Sequence, residues 1–307
     1  MIAIPEKGLG PSVSKHNCSR LTVADWVISS ALFGQEDVSK ADLSDILLEN
    51  QFYRNQDFCS EFIDQVWFYM QGFFDHVNTP SLSIDNRAVR FNAEWSQDPA
   101  LAYCLVASLR RLYEGWSTAS FGDYLVQGAI LEHLTQIALS NAHPNFSFKT
   151  TGWSGINSNQ KFKDLVDQIC NDTKFSQLDL ELWDNGRVKD LGLDVYGFLP
   201  GTGLRPSTHF MMVQCASGDN WEDKRKTPDL DIWEDIVKIY TSPTRGMAIP
   251  FFVEDELFKK SLVIIKGPLL DRTGLLSRIN PQHIPADLEN QIKGWVLQPI
   301  NELEYHE

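Results

Sequence analysis

The sequence is short of basic side chains, with 27 Lys and Arg against 41 Asp and Glu, a net charge of -14. Such a surface repels polyanions, so a broad nucleic-acid-binding face is not expected. It has no Cys-x-x-Cys pair. Its five cysteines (Cys18, Cys59, Cys104, Cys170 and Cys215) are odd in number and far apart. That excludes a zinc ribbon and a disulfide framework, and points to a reducing, cytoplasmic setting. Apolar runs stop far short of the ~20 residues of a spanning helix, so no membrane segment is expected. The opening residues show no apolar core behind a basic start, which predicts no secretory signal. None of the seven histidines forms a His-x-x-x-His pair. Gly152-Trp153-Ser154-Gly155 lacks the spacing of a nucleophile elbow, and Gly201-Thr202-Gly203 lacks the ending of a phosphate loop.

What remains is a well-provisioned globular chain of 307 residues. Its hydrophobic fraction of 43%, with nine Trp and eighteen Phe, is ample for a core. Residues 1–118 read as mainly helical. Thr22 can cap a helix running to Phe33, with Gly34 as its stop. Ser39 and Asp42 form a capping box for a helix ending near Asn50. From Asp57 to Val77, Phe58, Phe62, Ile63, Val66, Tyr69, Met70 and Phe73 recur at helical spacing. Trp67, Phe68 and Phe74 cannot all share that stripe, so some are expected to cover another domain or subunit. Ser81 to Ile84 and Ala88 to Phe91 read as a hairpin, and Asp98-Pro99 starts a helix reaching Tyr113.

Residues 119–307 read as an α/β domain: a mixed central sheet flanked by helices. Helices are expected over Phe121–Asn141 and Asn159–Asp172, and strands over Leu191–Leu199 and Thr208–Ala216. A helix opening at Thr227-Pro228 would face Leu230, Trp233, Val237 and Tyr240 to the core. Strands Ala248–Val253 and Leu262–Ile265 would follow, then a helix over Pro285–Val296 and a peripheral tail from Gln298.

Two polar residues interrupt these strands. Asp194 lies within Leu191-Gly192-Leu193-Asp194-Val195-Tyr196-Gly197-Phe198, and Gln214 near the end of His209–Ala216. Buried polar groups need partners, because leaving one unpaired costs roughly 1–3 kcal/mol. Adjacent strands can bring the carboxylate, the amide and the Cys215 carbonyl together as oxygen ligands for Mg²⁺. Structural alternatives stand beside the functional ones: Asp194 as a turn cap or a partner of Arg205, Glu132 as a solvated helix position, and the basic run Lys224-Arg225-Lys226 as a solvated turn.

Asp194, a hairpin, and then Gln214-Cys215-Ala216 resemble the motif of the PD-(D/E)XK, or restriction-endonuclease-like, nucleases. In that family an Asp on one strand and an (Asp/Glu/Gln)-x-Lys element on the next surround a divalent metal. The resemblance spans about Phe121 to Ile279. It implies a metal-dependent endonuclease acting on DNA with Mg²⁺ or Mn²⁺, held by Asp194, Gln214, Cys215 through its carbonyl, and Glu132. Glu132 matches the glutamate that family members carry on the preceding helix, and it falls on one line with Leu125 and Phe121. The motif lysine is replaced by Ala216. Some members carry that lysine on the following segment, which makes Lys224 the candidate and Lys226 the reserve. The resemblance further implies bacterial anti-phage defence or restriction, and the acidic chain with its helical N-terminal region suggests a protein partner or a second copy that supplies DNA affinity. A catalytically inactive nuclease-fold scaffold is the alternative, favoured by Ala216 and the net charge. Removing Asp194 is expected to abolish cleavage and leave the fold intact.

Overall fold

The structure is a computed structural model and describes residues 1–9, 17–113, 124–152, 161–178, 180, 183 and 191–305. The chain divides into two units. One comprises Met1–Asp123, Pro250–Phe252 and Asn280–Glu307, and the other Tyr124–Ile249 and Val253–Ile279. No helix among the described residues is long and apolar enough to cross a membrane.

The first unit is mainly helical. Its helix Arg20–Gly34 is capped by Ser19, whose hydroxyl accepts from Thr22 N, rather than by Thr22. Gln35, not Gly34, takes the left-handed conformation that ends it. Every residue from Val23 to Phe33 is buried, so this helix is wrapped on all sides. Helix Lys40–Glu49 carries the expected Ser39–Asp42 capping box. In helix Gln56–His76, Phe62, Ile63, Val66, Met70 and Phe73 are buried as the spacing predicts, whereas Phe58 is exposed. Trp67 is also buried, its indole N–H donating to Asp85 O, and Phe68 is 80% exposed. The hairpin Leu82–Ile84 and Ala88–Phe91 gains a third antiparallel strand, Val38–Ser39.

Helix Pro99–Leu112 packs on the C-terminal helix Ala286–Asn301, where Tyr103 and Trp295 rings meet at 5.2 Å. The C-terminal segment therefore belongs to the first unit, not to the 119–307 domain of the sequence reading. Its tail from Gln298 is mostly exposed, as expected, but is tied down at two points. Pro299 is buried, and Tyr305 donates to Phe33 O.

The second unit is built around a five-stranded mixed sheet flanked by helices. In chain order its main elements are α1 (Tyr124–Ala142), β1 (Ser147–Thr150), α2 (Phe162–Thr173), β2 (Val195–Phe198) and β3 (Phe210–Cys215). There follow α3 (Leu230–Ile236), β4 (Thr244–Ala248), α4 (Asp255–Ile265), β5 (Leu269–Leu270) and α5 (Arg272–Leu276). Strand order is β5-β4-β3-β2-β1. The first three strands form an antiparallel meander, and β4 and β5 add in parallel. Phe121 lies outside the described residues, as do Asn159 and Gln160 ahead of α2.

Side chains alternate across this sheet. Tyr196, Phe198, Phe210 and Met212 bury one face against Phe162, Leu165, Val166 and Ile169 of α2 and Trp233 and Ile236 of α3. The four α2 side chains contribute roughly 1.5–3 kcal/mol each before the entropy of ordering them. The other face meets α1. There Gly197 is obligatory, because a Cβ would lie 2.2 Å from the ring of Phe148 on the neighbouring strand.

Three expectations fail here for local reasons, and one strand was missed. Leu262–Ile265 closes α4 rather than forming a strand. Ser261 and Ile265, four apart, are buried while Val263 is 75% exposed, and Asp255 and Glu256 favour a helix start. The strand expected over Ala248–Val253 ends at Ala248, and Pro250–Phe252 joins the first unit. The helix after Pro228 is capped by Asp229 and stops at Ile236. Val237 then turns extended to pair with Gln177, leaving Tyr240 half exposed. Strand β1 was not foreseen, since Ser147-Phe148-Lys149-Thr150 has a single apolar residue, as befits an edge strand.

Candidate functional site

Asp194 sits at the entry to β2 and continues its ladder. Its N–H donates to Val213 O at 3.1 Å, and its carbonyl accepts from Thr151 N at 2.9 Å. Because Val195 pairs with Val213 and with Thr150, Asp194 stands opposite Gln214 on one side and Thr151 on the other. Gln214 in turn pairs with Met247 of β4. These side chains share the face that carries Tyr196 and Met212. Thr151, Asp194 and Gln214 thus form one polar row across the three strands of the meander.

The carboxylate is held tightly. Asp194 Oδ2 accepts from Cys215 N at 2.6 Å and from Gln214 Nε2. Gln214 Nε2 also donates to the Cys215 carbonyl at 3.1 Å. Arg205 lies in the hairpin turn at the far end of the strands and is exposed, so the alternative of an Asp194–Arg205 pair does not hold. Leu191 and Gly192, both at positive φ, form the tight approach to Asp194. A Cβ on Gly192 would lie 1.9 Å from Thr227 Cγ2 and 2.8 Å from Gln214 Oε1, so this position requires glycine.

Glu132 enters from α1 and is buried. Burial, then the charges of Asp194 and Glu132, push the Cys215 thiol well above the usual cysteine range. Both carboxylates are therefore near that side chain. The buried thiol donates towards Thr135 Oγ1 on α1 at 3.5 Å, and its burial disfavours the thiolate. Gln127, one of the buried polar residues of α1, donates to Ser217 O at 2.8 Å and ties the helix to the chain leaving β3.

That chain forms a short 3-10 segment, Asp219–Lys224, anchored by buried Trp221. Lys224, at its end, lines the cleft. Lys226 is exposed and is not part of the lining. Ala216 is buried, its N–H donating to Ala248 O, so the motif-lysine position holds only a methyl group. Glu132, Asp194, Gln214, Cys215 and Lys224 all line one open cleft of about 750 Å³.

Sequence reading missed three parts of this arrangement: Gln127, Thr151 and Gly192. Thr151 is buried and its hydroxyl has no hydrogen-bond partner among the described residues. The only sequence signal for Gln127 was a polar residue among the apolar residues of a helix; Gly192 preceding a buried Asp was the signal for the turn.

The donor set fits a hard divalent cation. Among the described residues no three His, Cys, Asp or Glu side chains gather as a metal cluster. A cation here would draw on two carboxylates, the Gln214 amide oxygen and the Cys215 carbonyl, with water completing the shell. That mixture suits Mg²⁺, which dehydrates reluctantly, and does not suit zinc. Comparison of the chain with family models, curated proteins and solved structures gives no match.

Proposed function

We propose that the second unit is a divalent-cation-dependent phosphodiesterase that cleaves DNA, built on a restriction-endonuclease-like core. The observation that carries this reading is the cross-strand pair Asp194 and Gln214, with Glu132 and Lys224 lining the same cleft. The element order supports it as well: a helix bearing Glu132, an antiparallel meander, then a helix and a parallel strand. A cation held by Asp194, Glu132, Gln214 and the Cys215 carbonyl, Mg²⁺ or Mn²⁺, would polarise a phosphoryl oxygen and activate a water.

The chain's own residues divide the remaining work. Asp194 and Glu132 supply the negative charge that retains the cation. Gln214 offers an uncharged oxygen, so the site carries less negative charge towards an incoming phosphate. The Lys224 ammonium offsets charge developing on that phosphate, in place of the motif lysine. With a net charge of -14, affinity for DNA is expected from a partner protein or a second copy. Defence against foreign DNA is the setting such a restrained nuclease suits.

An inactive nuclease-fold scaffold is the second reading. It is favoured by the methyl group at Ala216 and by the Gln214 amide capping Asp194. Nicking of supercoiled plasmid with Mg²⁺ or Mn²⁺ separates the two. Cleavage that EDTA abolishes is the expected result. Intact plasmid under every cation and with native-host extract added would leave the scaffold.

A further inference from the structure

The Gln214 side chain has a definite orientation. Its Nε2 lies between two acceptors, Asp194 Oδ2 and the Cys215 carbonyl, the latter at 3.1 Å. Its Oε1 points the other way, towards Gly192. The two flanking acceptors fix this assignment, since the inverted amide would set three oxygens together without a hydrogen between them. Asp194 Oδ2 and the Cys215 carbonyl are also oxygens that a cation would take. In this state the amide donates to the atoms a cation needs.

We propose that Gln214 sets the cation affinity of the site by inverting its amide. This rests on the metal-site reading above. Without a cation, the NH2 group caps Asp194 Oδ2 and the Cys215 carbonyl. With one, the amide turns over and Oε1 joins the ligands. Both bonds of the cap are given up in the exchange, and the cation must outweigh them. Gln at this position therefore makes a weaker cation site than a carboxylate would, and keeps Asp194 satisfied when the site is free. Gly192 makes the rotation sterically feasible, because any side chain there would close on Oε1.

The test uses the full chain and Ca²⁺ as a non-reactive probe. Selective 15N labelling of glutamine shows the Gln214 NH2 pair, assigned by its absence from the Gln214→Glu spectrum. Adding Ca²⁺ should shift that pair strongly and speed its hydrogen exchange. Calorimetry should find Gln214→Glu binding Ca²⁺ about tenfold more tightly than the parent. Suppose Ca²⁺ binds, Asp194→Asn abolishes that binding, and yet the Gln214 pair neither shifts nor exchanges faster. The inversion is then wrong and the metal site stands. If neither the parent nor Gln214→Glu binds Ca²⁺, the metal-site reading falls, and the inversion with it.

Discussion

Asp194 and Gln214 stand opposite each other across β2 and β3, and the Gln214 amide donates to the Asp194 carboxylate. This one pair links the fold to the proposed chemistry. It also changes what removing Asp194 should do.

From sequence, Asp194→Ala is expected to leave the fold intact by relieving charge repulsion. The structure argues otherwise, because Cys215 N and Gln214 Nε2 both lose a buried acceptor. Asp194→Ala should abolish cleavage and also lower stability, by about 1–3 kcal/mol. Urea unfolding beside a plasmid-nicking assay checks both. An unchanged unfolding midpoint would mean the carboxylate is not an essential acceptor in the folded state.

Lys224 and Lys226 are two residues apart, but only Lys224 lines the cleft. Lys224→Ala should slow single-turnover cleavage by about 10²–10³-fold, the scale for loss of one charge-stabilising group. Lys226→Ala should cleave at the parent rate. Equal losses in both variants would assign the run to general DNA attraction.

Thr151 carries a buried hydroxyl that has no hydrogen-bond partner among the described residues, next to Asp194. Such a group persists where function uses it. Thr151→Val should raise the melting temperature and reduce cleavage about tenfold. Parent-level cleavage with a raised melting temperature would make the hydroxyl irrelevant to the site.

Asp98, in the first unit, tests electrostatics away from the cleft. Its carboxylate is buried, and burial, offset in part by hydrogen bonds from Thr79 and the Leu101 N–H, raises its pKa from 3.8 to about 6. A raised folded-state pKa means the native state holds the proton more tightly. The stabilisation is complete below about pH 4 and is lost as pH rises through 6. Asp98→Asn should remove that loss, raising stability at pH 8 by about 3 kcal/mol relative to the parent and leaving pH 4 nearly unchanged. Thermal melts at the two values decide, and parallel curves would show that Asp98 ionises without cost.

The site's two central residues were legible because each is a polar residue breaking an apolar strand, and their spacing suited a hairpin. Lys224 was legible only as one of two candidates, since a short basic run gives no direction to its side chains. Thr151 was hidden because its strand has little apolar character and gains its place by pairing with β2. Leu262–Ile265 misled because a β-branched run was read without the acidic, helix-forming residues before it. The C-terminal helix was assigned to the wrong unit because Tyr103 and Trp295 meet across nearly two hundred residues of chain, a contact that local pattern cannot reveal.

The most direct measurement is anomalous diffraction from crystals of the full chain soaked in Mn²⁺. The account expects a manganese peak in the cleft, bonded to Asp194 and to the Gln214 amide oxygen, with Glu132 facing it directly or through water. Crystals that show manganese elsewhere, with the Gln214 amide still donating to Asp194, while the same protein cleaves DNA with Mn²⁺ in solution, would contradict it.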